Sequence, residues 1–186
     1  MKRTLAVALA VLAGCGGGVE IRRTYHANGK LWTELHVRKR TCDGPFTTWY
    51  ANGQKSTEGT NLGGRLDGKY TEWHEDGTVV LEAGYKAGLL DGPWRERWSD
   101  GRDRCVAIYK AGRLDGRYVD YDEAGQRLRE GSYVAGLREG VWTMYSLVDR
   151  KDHKVEWVHG DLRSDIDRKN AKPTDPPPPP PSPEKQ

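Results

Sequence analysis

The chain has 186 residues, 35% of them hydrophobic and 31% charged, with a mean hydropathy of −0.84. That is thin material for a deep globular core, and it bounds the chain to one ordinary domain or one short solenoid. The formal net charge of +3 falls to +1 if Lys2 and Arg3 are removed with an export signal, and a nearly neutral protein has no general electrostatic drive toward nucleic acid or anionic membrane.

The first element is that signal. Lys2 and Arg3 form a positive start and Leu5 to Ala13 an apolar run far short of the roughly 20 residues that span a bilayer. Residues 1–14 therefore read as a removable secretory peptide. Leu12-Ala13-Gly14-Cys15 looks like a bacterial lipobox, which implies lipidation at Cys15 and cleavage before it. Two or three acyl chains, at about 0.8 kcal/mol per buried CH₂, anchor stably. Residues 15–19 follow as a Gly-rich tether. Residue 16 is Gly rather than Asp, so by analogy with lipoprotein sorting the outer membrane is favoured in a two-membrane cell. Cys42 and Cys105 fall more than two repeat units apart, well past the ~7 Å reach of a disulfide, and are expected as free thiols.

Residues 20–163 carry an internal period, and it decides the reading. Gly44, Gly68, Gly92, Gly116 and Gly140 recur every 24 residues. Asp43, Asp67, Asp91, Asp115 and Glu139 precede them, and Phe46, Tyr70, Trp94, Tyr118 and Trp142 follow two places later. Three further ladders keep the same phase: Tyr25, Trp49, Trp73, Tyr121 and Tyr145; Tyr85, Tyr109, Tyr133 and Trp157; and Glu34, Glu58, Glu82 and Glu130, broken by Val106. With seven Trp and nine Tyr against one Phe, and 23 Gly, the material suits a thin sheet with flat aromatic rows and frequent turns.

Asp76-Gly77 and Asp100-Gly101 are hairpin turn signals. Val79, Leu81, Ala83 and Tyr85 alternate with the period of a half-buried strand. A second corner is expected across Lys86 to Gly92, with Gly near both ends. The predicted fold is all-β: a single-layer, elongated antiparallel meander of six hairpin units, 20–43, 44–67, 68–91, 92–115, 116–139 and 140–163. The outermost units are atypical, Asp149 replacing a glycine in the last, as an array with open ends requires.

Trp49-Tyr50-Ala51-Asn52-Gly53-Gln54-Lys55 and Leu90-Asp91-Gly92-Pro93-Trp94 resemble the MORN repeat variant, the hairpin repeat of the YwqK-like toxin–antitoxin antitoxin family. The resemblance implies a repeat array and, by family analogy, neutralisation of a toxin.

Residues 164–186 hold six consecutive prolines, Pro176 to Pro181, which donate no ladder hydrogen bonds, and read as a disordered or stiff polyproline spacer. No nucleophile motif or phosphate loop is present, and His26, His36, His74, His153 and His159 show no ligand spacing. An enzyme, a cofactor and a metal are not expected, since carboxylates on a one-layer sheet lack the apolar pocket that raises a general acid.

The expected binding surface comprises Trp73, Tyr121, Tyr145 and Trp98, the last one place out of the aromatic ladder where Arg97 stands. Asp67, Asp91 and Asp115 are added as carboxylates about 10 Å apart, although Asp before Gly also stabilises corners through backbone hydrogen bonds. The function expected is an envelope lipoprotein whose ribbon binds or scaffolds another protein. Toxin neutralisation, and binding of polysaccharide or peptidoglycan by aromatic rails, are the alternatives.

Overall fold

A computed structural model describes residues 18–146 and 152–165. The export signal, Cys15, Asp149 and the proline run lie outside them. The described residues hold strands and turns with no helix. In chain order the strands are β1 (Glu20–Tyr25), β2 (Leu31–Arg38), β3 (Thr41–Trp49), β4 (Lys55–Leu62), β5 (Arg65–Leu66), β6 (Gly68–Trp73) and β7 (Val79–Lys86). They continue as β8 (Leu89–Arg97), β9 (Asp103–Lys110), β10 (Arg113–Tyr121), β11 (Arg127–Val134), β12 (Leu137–Tyr145), β13 (Asp152–Val158) and β14 (Asp161–Asp165). All join one antiparallel sheet in sequence order, with β5 a short lead-in to β6 that pairs β4. The expected meander is the observed one. β14 carries it to Asp165, two residues past the expected end of the array.

Two kinds of turn alternate. At 74–78 His74 and Thr78 close the loop backbone to backbone, only Gly77 has positive φ, and the register slips beside Trp73. This is a type I turn with a bulge. At the opposite edge Ala87 (φ 51°) and Gly88 (φ 86°) are both left-handed, the signature of a two-residue type I′ hairpin.

That second turn corrects one expectation. The corner does not extend to Gly92, because β8 has already begun at Leu89. Pairing moves from Tyr85↔Leu90 to Ala83↔Trp94, so Asp91, Gly92 and Pro93 bulge opposite Gly84. A Cβ on Gly84 would meet the Asp91 carbonyl at 2.5 Å. The Asp-Gly signal therefore marks a bulge inside a strand, where the left-handed residue bends the chain without reversing it.

The core sits on one face of the sheet. Tyr70, Trp94, Tyr118 and Trp142 are buried there, beside Tyr85, Tyr109, Tyr133 and Trp157. Each ring of the first row lies over a small residue on at least one neighbouring strand. Trp94 pairs with Ala83 and Ala107, and Tyr118 with Ala107 and Gly131. A Cβ on Gly131 would fall 2.3 Å from Trp142 Cδ2, so the indole rests on bare backbone. Edge-to-face contacts join the rows, with Tyr133 and Trp142 centroids 5.0 Å apart and Tyr118 and Tyr133 5.5 Å apart. The Arg138 guanidinium lies between Trp142 and Trp157, 4.9 and 4.5 Å from their centroids. One layer thus buries its rings by laying them over glycine and alanine and stacking them on each other, a geometry worth about 0.5–1.5 kcal/mol per aromatic pair beyond area.

Candidate binding face

Strand alternation puts a different set of side chains on the opposite face. Trp73, Tyr121 and Tyr145 lie there, all half-buried, along with Glu58, Glu82 and Glu130. The two ladders interlock. The Tyr145 hydroxyl donates to Glu130 at 2.6 Å, and Arg97, standing in the aromatic place, donates to Glu82 at 2.7 Å. Lys55 bonds Glu58 at 2.9 Å while its ammonium sits 5.7 Å from the Trp73 ring centroid. Where the acidic ladder breaks at Val106, the cross-strand partner is Val119, 1% exposed. The break replaces an ionic contact by an apolar pair.

The centre of this face is an ion-pair network. Lys69 and Arg97 both donate to Glu82 at 2.7 Å, and Arg95 makes two bonds to Asp103, at 2.8 and 2.9 Å. These bonds hold the Glu82 carboxyl down to about 2, the hydrogen bond from Lys69 first. Beside the network lies an open groove of about 480 Å³, lined by Lys69, Glu82, Ala83, Gly84, Pro93 and Arg95. A one-layer sheet is not expected to hold a pocket; this one lies where the recurring bulge carries Pro93 beside Gly84. Glu82 is ionised there and so is a poor general acid. On the ring face, burial pushes the Cys105 thiol up to about 12, which disfavours the thiolate needed of a nucleophile. Cys42 and Cys105 are free thiols. Among the described residues no three His, Cys, Asp or Glu side chains are grouped to hold a metal.

The remaining expected site residues belong to the scaffold. Asp67, Asp91 and Asp115 accept the amides of Ala87, Ala111 and Ala135 at 3.0, 3.0 and 3.2 Å. Asp43 and Glu139 do the same for Gly63 and His159 at 3.4 and 2.7 Å. Each acid caps the corner of the following hairpin, rather than its own, and the preceding carbonyl helps, as Leu90 O accepts Gly112 N at 2.8 Å. Trp98 occupies the first place of a turn, in a ladder with His26, Tyr50, His74 and Asp122, and its indole donates to Asp122 O at 3.1 Å. Tyr50 and His26 likewise bond the carbonyls of Trp73 and Trp49, both at 2.7 Å. These bonds tie one turn to the next.

Lys69, Pro93 and Arg95 escaped the sequence reading because it followed recurring columns. The groove exists where columns are interrupted: Gly84 stands where neighbouring units have Thr60 and Ile108, and Pro93 where they have Lys69 and Arg117.

Against known families, the chain matches the MORN repeat variant over residues 21–39 and 66–87. The two segments end 48 residues apart, two 24-residue periods, and each spans one hairpin, β1–β2 about Asn28-Gly29 and β6–β7 about Asp76-Gly77. No curated protein sequence matches the chain.

Proposed function

We propose that the chain is a repeat-based binding and scaffolding module of the bacterial cell envelope, tethered by lipid at Cys15, whose charged face engages another protein. The observation carrying this reading is the asymmetry of the sheet. One face is consumed as core, while the other presents Glu, Lys, Arg and aromatic side chains at a fixed spacing along the array. Extended repetitive surfaces of this kind suit macromolecular partners, and the MORN-like hairpin is a repeat module in its own right. The groove supplies a concave place on an otherwise flat surface.

The glycan alternative depends on the aromatic row. Tyr145 is already bonded to Glu130 and the Trp73 ring lies near Lys55, so these rings are less free to stack on a sugar. Toxin neutralisation is a special case of protein binding and shares its test.

The test is affinity capture of the lipidated protein from its own membranes followed by mass spectrometry, with a Cys15→Ala control and a charged-face variant, Trp73→Ala with Tyr121→Ala. One protein in stoichiometric amount, reduced by the face variant, is the expected result. Equal solubility of wild type and Cys15→Ala removes the anchor; a captured protein indifferent to the face variant removes the face.

A further inference from the structure

The groove on the charged face has a chemical preference of its own. One row across the sheet reads Lys69 on β6, Gly84 on β7, Pro93 on β8 and Ile108 on β9, since Lys69 pairs with Gly84 and Pro93 with Ile108. At about 4.8 Å per strand, Lys69 and Pro93 stand roughly 10 Å apart, with only backbone between them. Ile108 is 43% exposed, so the row offers a cation, a glycine overhung by the Asp91 carbonyl, a flat ring and, past the groove lining, an aliphatic side chain in succession.

The next row toward the turns holds Glu82 and Arg95. Both carboxylates nearby are engaged: Glu82 by Lys69 and Arg97, and Asp103 by two bonds from Arg95. Asp67 and Asp91, at the corner edge of the same face, accept corner amides. Lys69 and Arg95 keep further N–H donors, and their side chains are 69% and 50% exposed. Lys86, on the same strand and face as Gly84, is exposed as well. The unsatisfied capacity at the groove is thus cationic hydrogen-bond donation around a small apolar floor.

We infer that this groove is the docking point for an extended segment of a partner protein in which an apolar side chain is flanked by carboxylates. The apolar side chain seats in the groove against Pro93, beside the Gly84 backbone, while the flanking carboxylates meet Lys69 on one side and Arg95 on the other. A basic segment finds the nearby carboxylates already bonded, and a purely acidic one lacks the group that fills the groove. The inference names the partner of the face proposed above and rests on that reading.

A fluorescein-labelled peptide Glu-Leu-Glu-Leu-Glu, titrated into the full chain and followed by anisotropy, tests it beside Lys-Leu-Lys-Leu-Lys and Glu-Gly-Glu-Gly-Glu. The first is expected to bind, more weakly as ionic strength rises from about 0.05 M to about 0.5 M, and the other two at least tenfold less tightly. Lys69→Glu with Arg95→Glu should cost at least tenfold in affinity. Arg117→Glu, the same change at the equivalent ladder place two units along, should stay within about twofold. If the reversed pair does not fold, Lys69→Gln with Arg95→Gln should still cost at least threefold. Equal binding of the lysine peptide, or equal loss in Arg117→Glu, overturns the groove as the site. The capture experiment separates the two readings. A partner retained by Lys69→Glu with Arg95→Glu sinks this inference and leaves the charged face standing, whereas no partner in wild type sinks the face itself.

Discussion

The first two hairpins and the central ones obey the same backbone rules but are held together differently. From β6 to β13 the ring face carries paired aromatic rows, and almost all the buried hydrophobic side chains lie there. In β1–β4 only Val37 is buried to that degree. Asn61 occupies the place of Tyr85, and hydroxyl pairs bridge the strands instead, Thr24 with Thr33 and Thr48 with Thr57, both at 2.7 Å. The bulges, type I′ corners and acid caps nevertheless persist through both regions. The backbone pattern and the core are therefore separable: glycines and acids define the meander, while rings supply most of the apolar burial that stabilises it.

The contrast breaks most visibly at Trp142. Trp142→Ala is expected to cost about 3–5 kcal/mol in chemical denaturation, and Phe46→Ala, half-buried in its ladder place, about half as much. Equal costs would deny that the core is concentrated in the later hairpins. Alkali tests the same point without mutation. Burial pushes the Tyr85 phenol up to about 12 and raises Tyr70, Tyr109 and Tyr118 as well. The unfolded value is about 10, so the folded chain keeps protons that the unfolded chain releases. The stability this contributes is complete below about pH 10 and drains away as pH climbs toward 12. Tyrosinate absorbance from these rings should rise together with loss of strand signal, and an earlier rise at ordinary phenol pKa would show them to be exposed.

Gly131→Ala is expected to cost about 2 kcal/mol by forcing Trp142 off its neighbour, with loss of near-ultraviolet tryptophan signal as the marker. Asp91→Ala should cost about 1 kcal/mol and speed hydrogen exchange at the Ala111 amide more than at Ala87, which has its own acid. Thr48→Val, at the N-terminal end, should change stability by only a few tenths of a kcal/mol. A larger effect would mean that the hydroxyl pairs hold the early hairpins as firmly as rings hold the later ones.

The fold was largely legible because its determinants recur. Gly77 announces a turn in five copies and Tyr85 a ring in four, and their common phase removes ambiguity. The site was less so. Asp67, Asp91 and Asp115 form as regular a ladder as the rings, but regularity alone does not say whether a carboxylate faces solvent or an amide twenty residues ahead. Trp98 looked displaced only when set against Trp73 and Tyr121; set against Tyr50 and Asp122 it is in register. The groove depends on Gly84 and Pro93 sharing a row, and the recurring Asp-Gly that marks the bulge does not say that it sets three residues against one.

The caps have a consequence for how such a chain changes length. Each bulge reaches forward to the next hairpin through one carboxylate and one carbonyl, and the partner always lies the same distance ahead. Excision of residues 92–115 would hand the Asp91 carboxylate to the Ala135 amide, with no new kind of contact to invent. A ruler built this way is cut or extended most easily in whole graduations, and a deletion of any other size sets the pairs that span it off their mates.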